Sequence, residues 1–200
     1  MKKGCIIGIV IAAALVIVVL GFISWGTKIY NGMVTMQETV TGQWGNVETA
    51  YQRRSDLIPN FVNTVKGAAN FEQTTLTQVI EARAKATSVN IDPTKMTEQN
   101  LQQFTQAQGQ LSSALSRLMV VVEQYPQLKA TQNFRDLQVE LEGTENRIAV
   151  ERRKFNEVAR TYNTYIKRFP QNFLAGMFGF QSKPYFAAAE GAEKAPEVKF

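Results

Sequence analysis

Nineteen consecutive uncharged residues, CIIGIVIAAALVIVVLGFI from Cys5 to Ile23, constrain this chain more than any other stretch. As a helix rising about 1.5 Å per residue the run extends roughly 28 Å, close to the ~30 Å hydrocarbon thickness of a bilayer. No face of it is polar, which argues against the buried helix of a soluble core. Lys2 and Lys3 precede it, and Trp25, Lys28 and Tyr30 follow, residue types that settle at membrane–water boundaries. Residues 1–26 are therefore expected to form a retained membrane anchor, with Ile6, Ile7, Ile9, Val10, Leu15, Val18, Leu20, Phe22 and Ile23 among its apolar side chains. A cleaved signal peptide is the rival, but its apolar region runs only about 7–15 residues. Ser24-Trp25-Gly26 imitates a cleavage site weakly. Cys5 stands before the run, where the lipoprotein pathway does not use it, and reads as a small apolar residue at the membrane edge. Lys2, Lys3 and the α-amine outnumber Lys28, which places the N-terminus in the cytoplasm and the rest of the chain outside.

The chemistry open to the chain is narrow. It has no histidine and one cysteine. Serine–histidine and cysteine–histidine catalysis, histidine-bearing metal sites and an intrachain disulfide are all excluded. The glycines form neither GxxxxGK nor GxGxxG, so no phosphate-cradling loop is expected. Glu142 and Glu145 share a helix face, as do other late acids, but a carboxylate-bridged metal bundle would add a Glu-x-x-His motif. No catalytic, cofactor-binding or metal-ligating residue is assigned. The formal charge, 22 − 17 = +5, is mildly basic. Acids beside Arg53-Arg54 and Arg152-Arg153-Lys154 offset those clusters, so nucleic acid is not an expected partner.

Beyond the anchor the apolar residues step by three and four, with no β-type alternation. One series runs Tyr30, Met33, Val40, Trp44, Val47, Tyr51, Ile58, Phe61 and Val65. Another runs Leu101, Phe104, Gln108, Leu111, Leu115, Leu118 and Val122. A third runs Phe134, Leu137, Leu141, Ile148, Phe155, Val158, Tyr162, Tyr165 and Phe169. Each puts one apolar stripe on a helix and suits near-antiparallel packing. The expected fold is all-α, an N-terminal transmembrane helix followed by an antiparallel up-and-down four-helix bundle over 27–186, then a loose tail over 187–200.

Pro59 poses the main question of layout. The apolar phase runs through it, but a helix from Tyr30 to Thr87 would reach about 87 Å and leave its stripe without partners. A break at Arg54-Ser55-Asp56 would put Pro59 in a first turn, where its missing N–H costs nothing. The expected helices are then 27–54, 56–87, 98–124 and 132–168; a long kinked rod that dimerises is the alternative. With the first helix leaving the membrane, the fourth returns to it and brings Phe173, Leu174, Met177, Phe178 and Phe180 near the bilayer. These residues read either as an interfacial foot or as a lid over the bundle end.

Two charged residues, Arg54 and Glu151, fall at core-phase positions, where each needs a partner or a route to water. Arg54 is expected to pair with Glu145 or Glu151 on the last helix and fix its register; the alternative is that both side chains reach solvent.

Several separated blocks, in order, carry a resemblance. After the apolar span come Tyr30-Asn31, RRSDLIPNFVNTVKG (Arg53–Gly67) and EARA (Glu81–Ala84). YPQLKATQNFRDLQVELEGTENRIAVERRKFN (Tyr125–Asn156), YNTYIKRFP (Tyr162–Pro170) and FGFQSKPYF (Phe178–Phe186) follow. Together they resemble the LemA family of bacterial membrane-anchored proteins over nearly all of Tyr30–Phe186. The resemblance implies a single-pass protein with a bromodomain-like four-helix bundle and no established enzymatic activity. Relatives in magnetosome gene clusters imply membrane organisation. The expected function is that of a non-enzymatic helical scaffold in the bacterial cell membrane. Its expected partners are the lipid bilayer, an envelope protein, or further copies of itself in a homo-oligomer. A membrane-surface or membrane-shaping role through the aromatic C-terminal segment is the alternative.

Overall fold

The three- and four-residue spacing of apolar side chains makes helices of nearly everything between the turns. The fold rests on a computed structural model that describes residues 3–67 and 72–187, with side chains from Ile7 onward. The described residues contain helices and no strand. In chain order these are α1 (Lys3–Lys66), α2 (Gln73–Ser88), α3 (Glu98–Val122), α4 (Pro126–Lys129), α5 (Gln132–Lys167) and α6 (Gln171–Phe178), with a 3₁₀ turn over Pro93–Lys95. Local chemistry sets the ends. The Thr97 hydroxyl accepts from the Asn100 N–H while the Asn100 side chain accepts from the Thr97 N–H, a reciprocal cap that starts α3. Thr131 caps α5 by accepting from Phe134. Gly179, at φ 76°, takes the left-handed conformation that closes α6.

The expected break at Arg54-Ser55-Asp56 is absent. α1 is one helix of 64 residues with Pro59 inside it. The cost of an interior proline is the lost N–H to the carbonyl four residues earlier, here that of Ser55. That carbonyl accepts instead from Arg83 Nε of α2 at 2.8 Å. A tertiary donor replaces the missing helical one. The chain turns only after Lys66, so the helix expected over 56–87 is divided between the end of α1 and α2. The argument from unpartnered length fails because α5, at 36 residues, is long enough to cover α1 from end to end of the folded domain.

Contacts along α1 give the layout. On α5, Tyr165 meets Gly32, Glu151 meets Gln43, Glu145 meets Arg54 and Phe134 meets Phe61, so α5 runs antiparallel to α1. On α3, Phe104 packs against Trp44 and Tyr51, while Gln108 and Ser112 meet Arg54, so α3 runs parallel to α1. Helix α2 pairs with α3, its Ala86 carbonyl accepting from Gln108. The apolar interior falls into two clusters. The membrane-proximal one is built on Met33, Trp44, Phe155 and Tyr162; the distal one on Ile58, Phe61, Leu118 and Phe134. Ridding these side chains of water is worth roughly 1.5–3 kcal/mol each, which is why the stripes find one another.

Candidate functional site

Arg54 lies on α1 between the last proximal core residue, Tyr51, and the first distal one, Leu57. It is only 1% exposed. Its Nη1 donates to Glu145 Oε1 at 2.6 Å and to Ser112 Oγ at 2.8 Å. Its Nη2 donates to Gln108 Oε1 at 2.5 Å and, at 3.4 Å, to the Gln108 carbonyl. The guanidinium also lies 5.1 Å from the centre of the Tyr51 ring. Three helices therefore meet in one charge-assisted polar layer. Burial among these neighbours pushes the Tyr51 hydroxyl pKa up, with the adjacent Arg152 and Arg54 opposing it.

Glu151, one face of α5 further toward the membrane, is also buried. Gln43 Nε2 donates to its Oε2 at 2.8 Å, Lys154 Nζ to its Oε1 at 3.2 Å, and Arg147 Nε lies 3.3 Å away. The Gln43 hydrogen bond comes first among the causes that hold this carboxyl below its ordinary pKa; burial opposes it, and the two cations add to it. Arg54 and Glu151 thus sit in separate networks. Of the two acids named from sequence, Glu145 is the one in contact with Arg54.

The stretch after α6 folds back along the domain. Asn163 holds it by accepting from the Lys183 N–H and donating to the Lys183 carbonyl, both at 2.8 Å. Asn156 repeats this arrangement with Phe186, at 2.9 Å each way. Lys183 Nζ reaches the carbonyls of Pro93 and Thr94 at 2.7 and 3.1 Å. Desolvation lowers its pKa, and Asp92 partly offsets this. Phe186 stacks on Trp44 and meets Phe155 edge-on, with Arg152 4.7 Å from its ring centre. Sequence reading gave Asn156, Lys183 and Phe186 no individual role. The paired asparagines, seven apart on one face of α5, were the available signal.

The family model described as LemA family matches residues 43–200. This chain belongs to the LemA family. Magnetosome protein MamQ 2 of Paramagnetospirillum magneticum is 30% identical over 188 residues, covering 86% of this chain and 69% of that protein. Magnetosome protein MamQ of Magnetospirillum gryphiswaldense is 30% identical over 174 residues, 78% of this chain and 64% of its own. Protein LemA of Metamycoplasma hominis is 26% identical over 169 residues, with 84% and 73% covered. With one helix among the described residues long and apolar enough to cross a membrane, this LemA-family chain is a membrane-associated protein.

The remaining sequence-named residues lie on the N-terminal part of α1 and around α6. Ile7, Ile9, Val10, Leu15, Val18, Leu20, Phe22 and Ile23 are all exposed on α1, outside the folded domain. The side chain of Ile6 lies outside the described residues, as does the tail over 188–200. Of the five C-terminal residues, Phe173, Met177 and Phe178 are exposed. Leu174 and Phe180 are half-buried and pack against the proximal core. Phe169, which sequence reading placed on the core stripe of α5, is 87% exposed. It lies beyond the last residue of α5, so the helical phase that would turn it inward has ended. The described residues hold no cluster of three metal-ligating side chains.

Proposed function

We propose that this LemA-family protein is a non-enzymatic membrane-anchored scaffold: a four-helix, up-and-down domain carried outside the cytoplasm by its own first helix. The observation that carries the reading is continuity. The membrane span and the central helix of the domain are the same α1, so the span holds the domain at a set height and azimuth. From Ile23 to Lys66 the helix rises about 65 Å, enough to present surfaces well clear of lipid. The charged groups of Arg54, Glu151 and Lys183 are engaged with neighbouring elements of the domain. The magnetosome proteins among its relatives support a role in membrane organisation. Exposed Val120 on α3 and Val139 on α5 are apolar points on the outer surface from which an envelope protein or a second copy would be contacted. Photo-crosslinkers at these two positions in cells should trap one reproducible neighbour, the same from repeat to repeat. Uncoupling the domain with a Gly-Ser insertion after Gly26 should weaken that product. A monomer that traps no protein from either position would sink the proposal.

A further inference from the structure

The end of the domain nearest the apolar run combines an apolar face with a set of exposed cations. All 17 acids lie outside residues 1–37 and 158–187. The second of these segments ends α5 and forms α6. Arg160, Lys167 and Arg168 are exposed there, and Lys28 is exposed on α1 opposite them. Helix α6 is amphipathic in a specific sense. Ala175 is buried against the proximal core, and at about 100° per residue Phe173 and Met177 fall on the opposite face. They are 69% and 61% exposed. Phe178 and Phe180 pack edge-on against Tyr30, 5.0 and 5.6 Å between ring centres. Tyr30 is only seven residues past Ile23, about 10 Å along the axis. Headgroups extend roughly 5–8 Å beyond the hydrocarbon on each side. The exposed face is therefore within one side chain's length of the lipid that α1 enters.

We propose that α6 and the flanking Phe169 dock on the bilayer in which α1 is anchored, their aromatic and thioether side chains among the headgroups and Lys28, Lys167 and Arg168 facing anionic lipid. The bilayer is the occupant argued for because the patch is continuous with the membrane span, fixed near its surface, and carried by two chain segments that hold cations and no acid. The inference needs only the anchor and is independent of whether the outer surfaces bind a protein.

The test uses the full chain, in a Cys5→Ser background, reconstituted into vesicles of phosphatidylcholine with or without phosphatidylglycerol. A nitroxide is attached at Met177→Cys or, separately, at Phe173→Cys. Both side chains are exposed, so the fold tolerates the change, and a label at Asn63→Cys, exposed near the far end of α1, is the aqueous reference. In anionic vesicles the accessibility of the α6 labels to a water-soluble nickel chelate should be roughly threefold lower than the reference, as expected of side chains at headgroup depth. Lys167→Gln with Arg168→Gln should move it back toward the reference. Chelate accessibility equal to the reference in both vesicle types would overturn the proposal. So would protection accompanied by spin–spin broadening between copies, which would assign the face to a second chain.

Discussion

Arg54 shows how a buried charge divides cost between its partners. Its own solvation is lost, whereas Glu145 retains a side-chain exposure of 44%. Removing the acid therefore strands a buried cation, and removing the arginine leaves an acid that water can reach. Glu145→Gln is expected to cost about 2–3 kcal/mol in urea unfolding, below the range for fully buried pairs. Arg54→Met combined with Gln108→Leu, which removes the buried amide left behind, should lie close to wild type. A silent Glu145→Gln would refute this account of the layer. Glu151 makes a second prediction. Its folded pKa is depressed, so the unfolded chain binds the proton more readily. Stability from this group is complete above the ordinary carboxylate range and is lost as pH falls through the folded value. Urea midpoints followed from pH 7 down to about pH 3 should fall less steeply for Glu151→Gln than for wild type. Equal slopes would show that the carboxylate contributes nothing. At this scale the sequence was partly legible. A charged residue in core phase announces a network, but Gln108 and Ser112, polar residues on a third helix, become identifiable partners only once α3 is placed alongside α1.

Helices explain the main misreading. Pro59 is a local signal, and local chemistry favours ending the helix before it; Arg83, 24 positions downstream, overrides that by supplying the Ser55 carbonyl with a donor. The two residues should behave as one device. Arg83→Met in wild type is expected to cost about 1–3 kcal/mol, because the carbonyl loses a charge-assisted bond and stays enclosed. In a Pro59→Ala background the helical N–H returns, so the same change should cost much less. A double-mutant cycle by urea unfolding should give a coupling of at least about 0.5 kcal/mol. Additive effects would mean that Arg83 acts elsewhere. The periodic stripes were readable because neighbours in sequence produce them. The turn after Lys66 was not, since the apolar phase of α1 carries no mark of where α2 begins.

At the scale of the whole molecule, the apolar span was evident from hydrophobicity alone, yet its continuity with the folded domain was not: the first helix of the domain was expected to begin at residue 27, whereas residues 26 and 27 lie inside α1. The difference has a mechanical consequence. A flexible tether would let the domain settle on the bilayer whatever its length, while a continuous helix fixes its height. Eleven alanines inserted after Gly26 make slightly more than three whole turns, lifting the domain by about 16 Å while rotating it by only about 20°. Alanine keeps the segment helical. If α1 is a strut, that lift carries α6 clear of the headgroups, and a nitroxide at Met177→Cys should become as accessible to the nickel chelate as one at Asn63→Cys. A Gly-Ser insertion of the same length should preserve the protection, because the chain can fold back. Protection that survives the alanine insertion would show that the span and the domain move independently, and that α6 finds the membrane without help from α1.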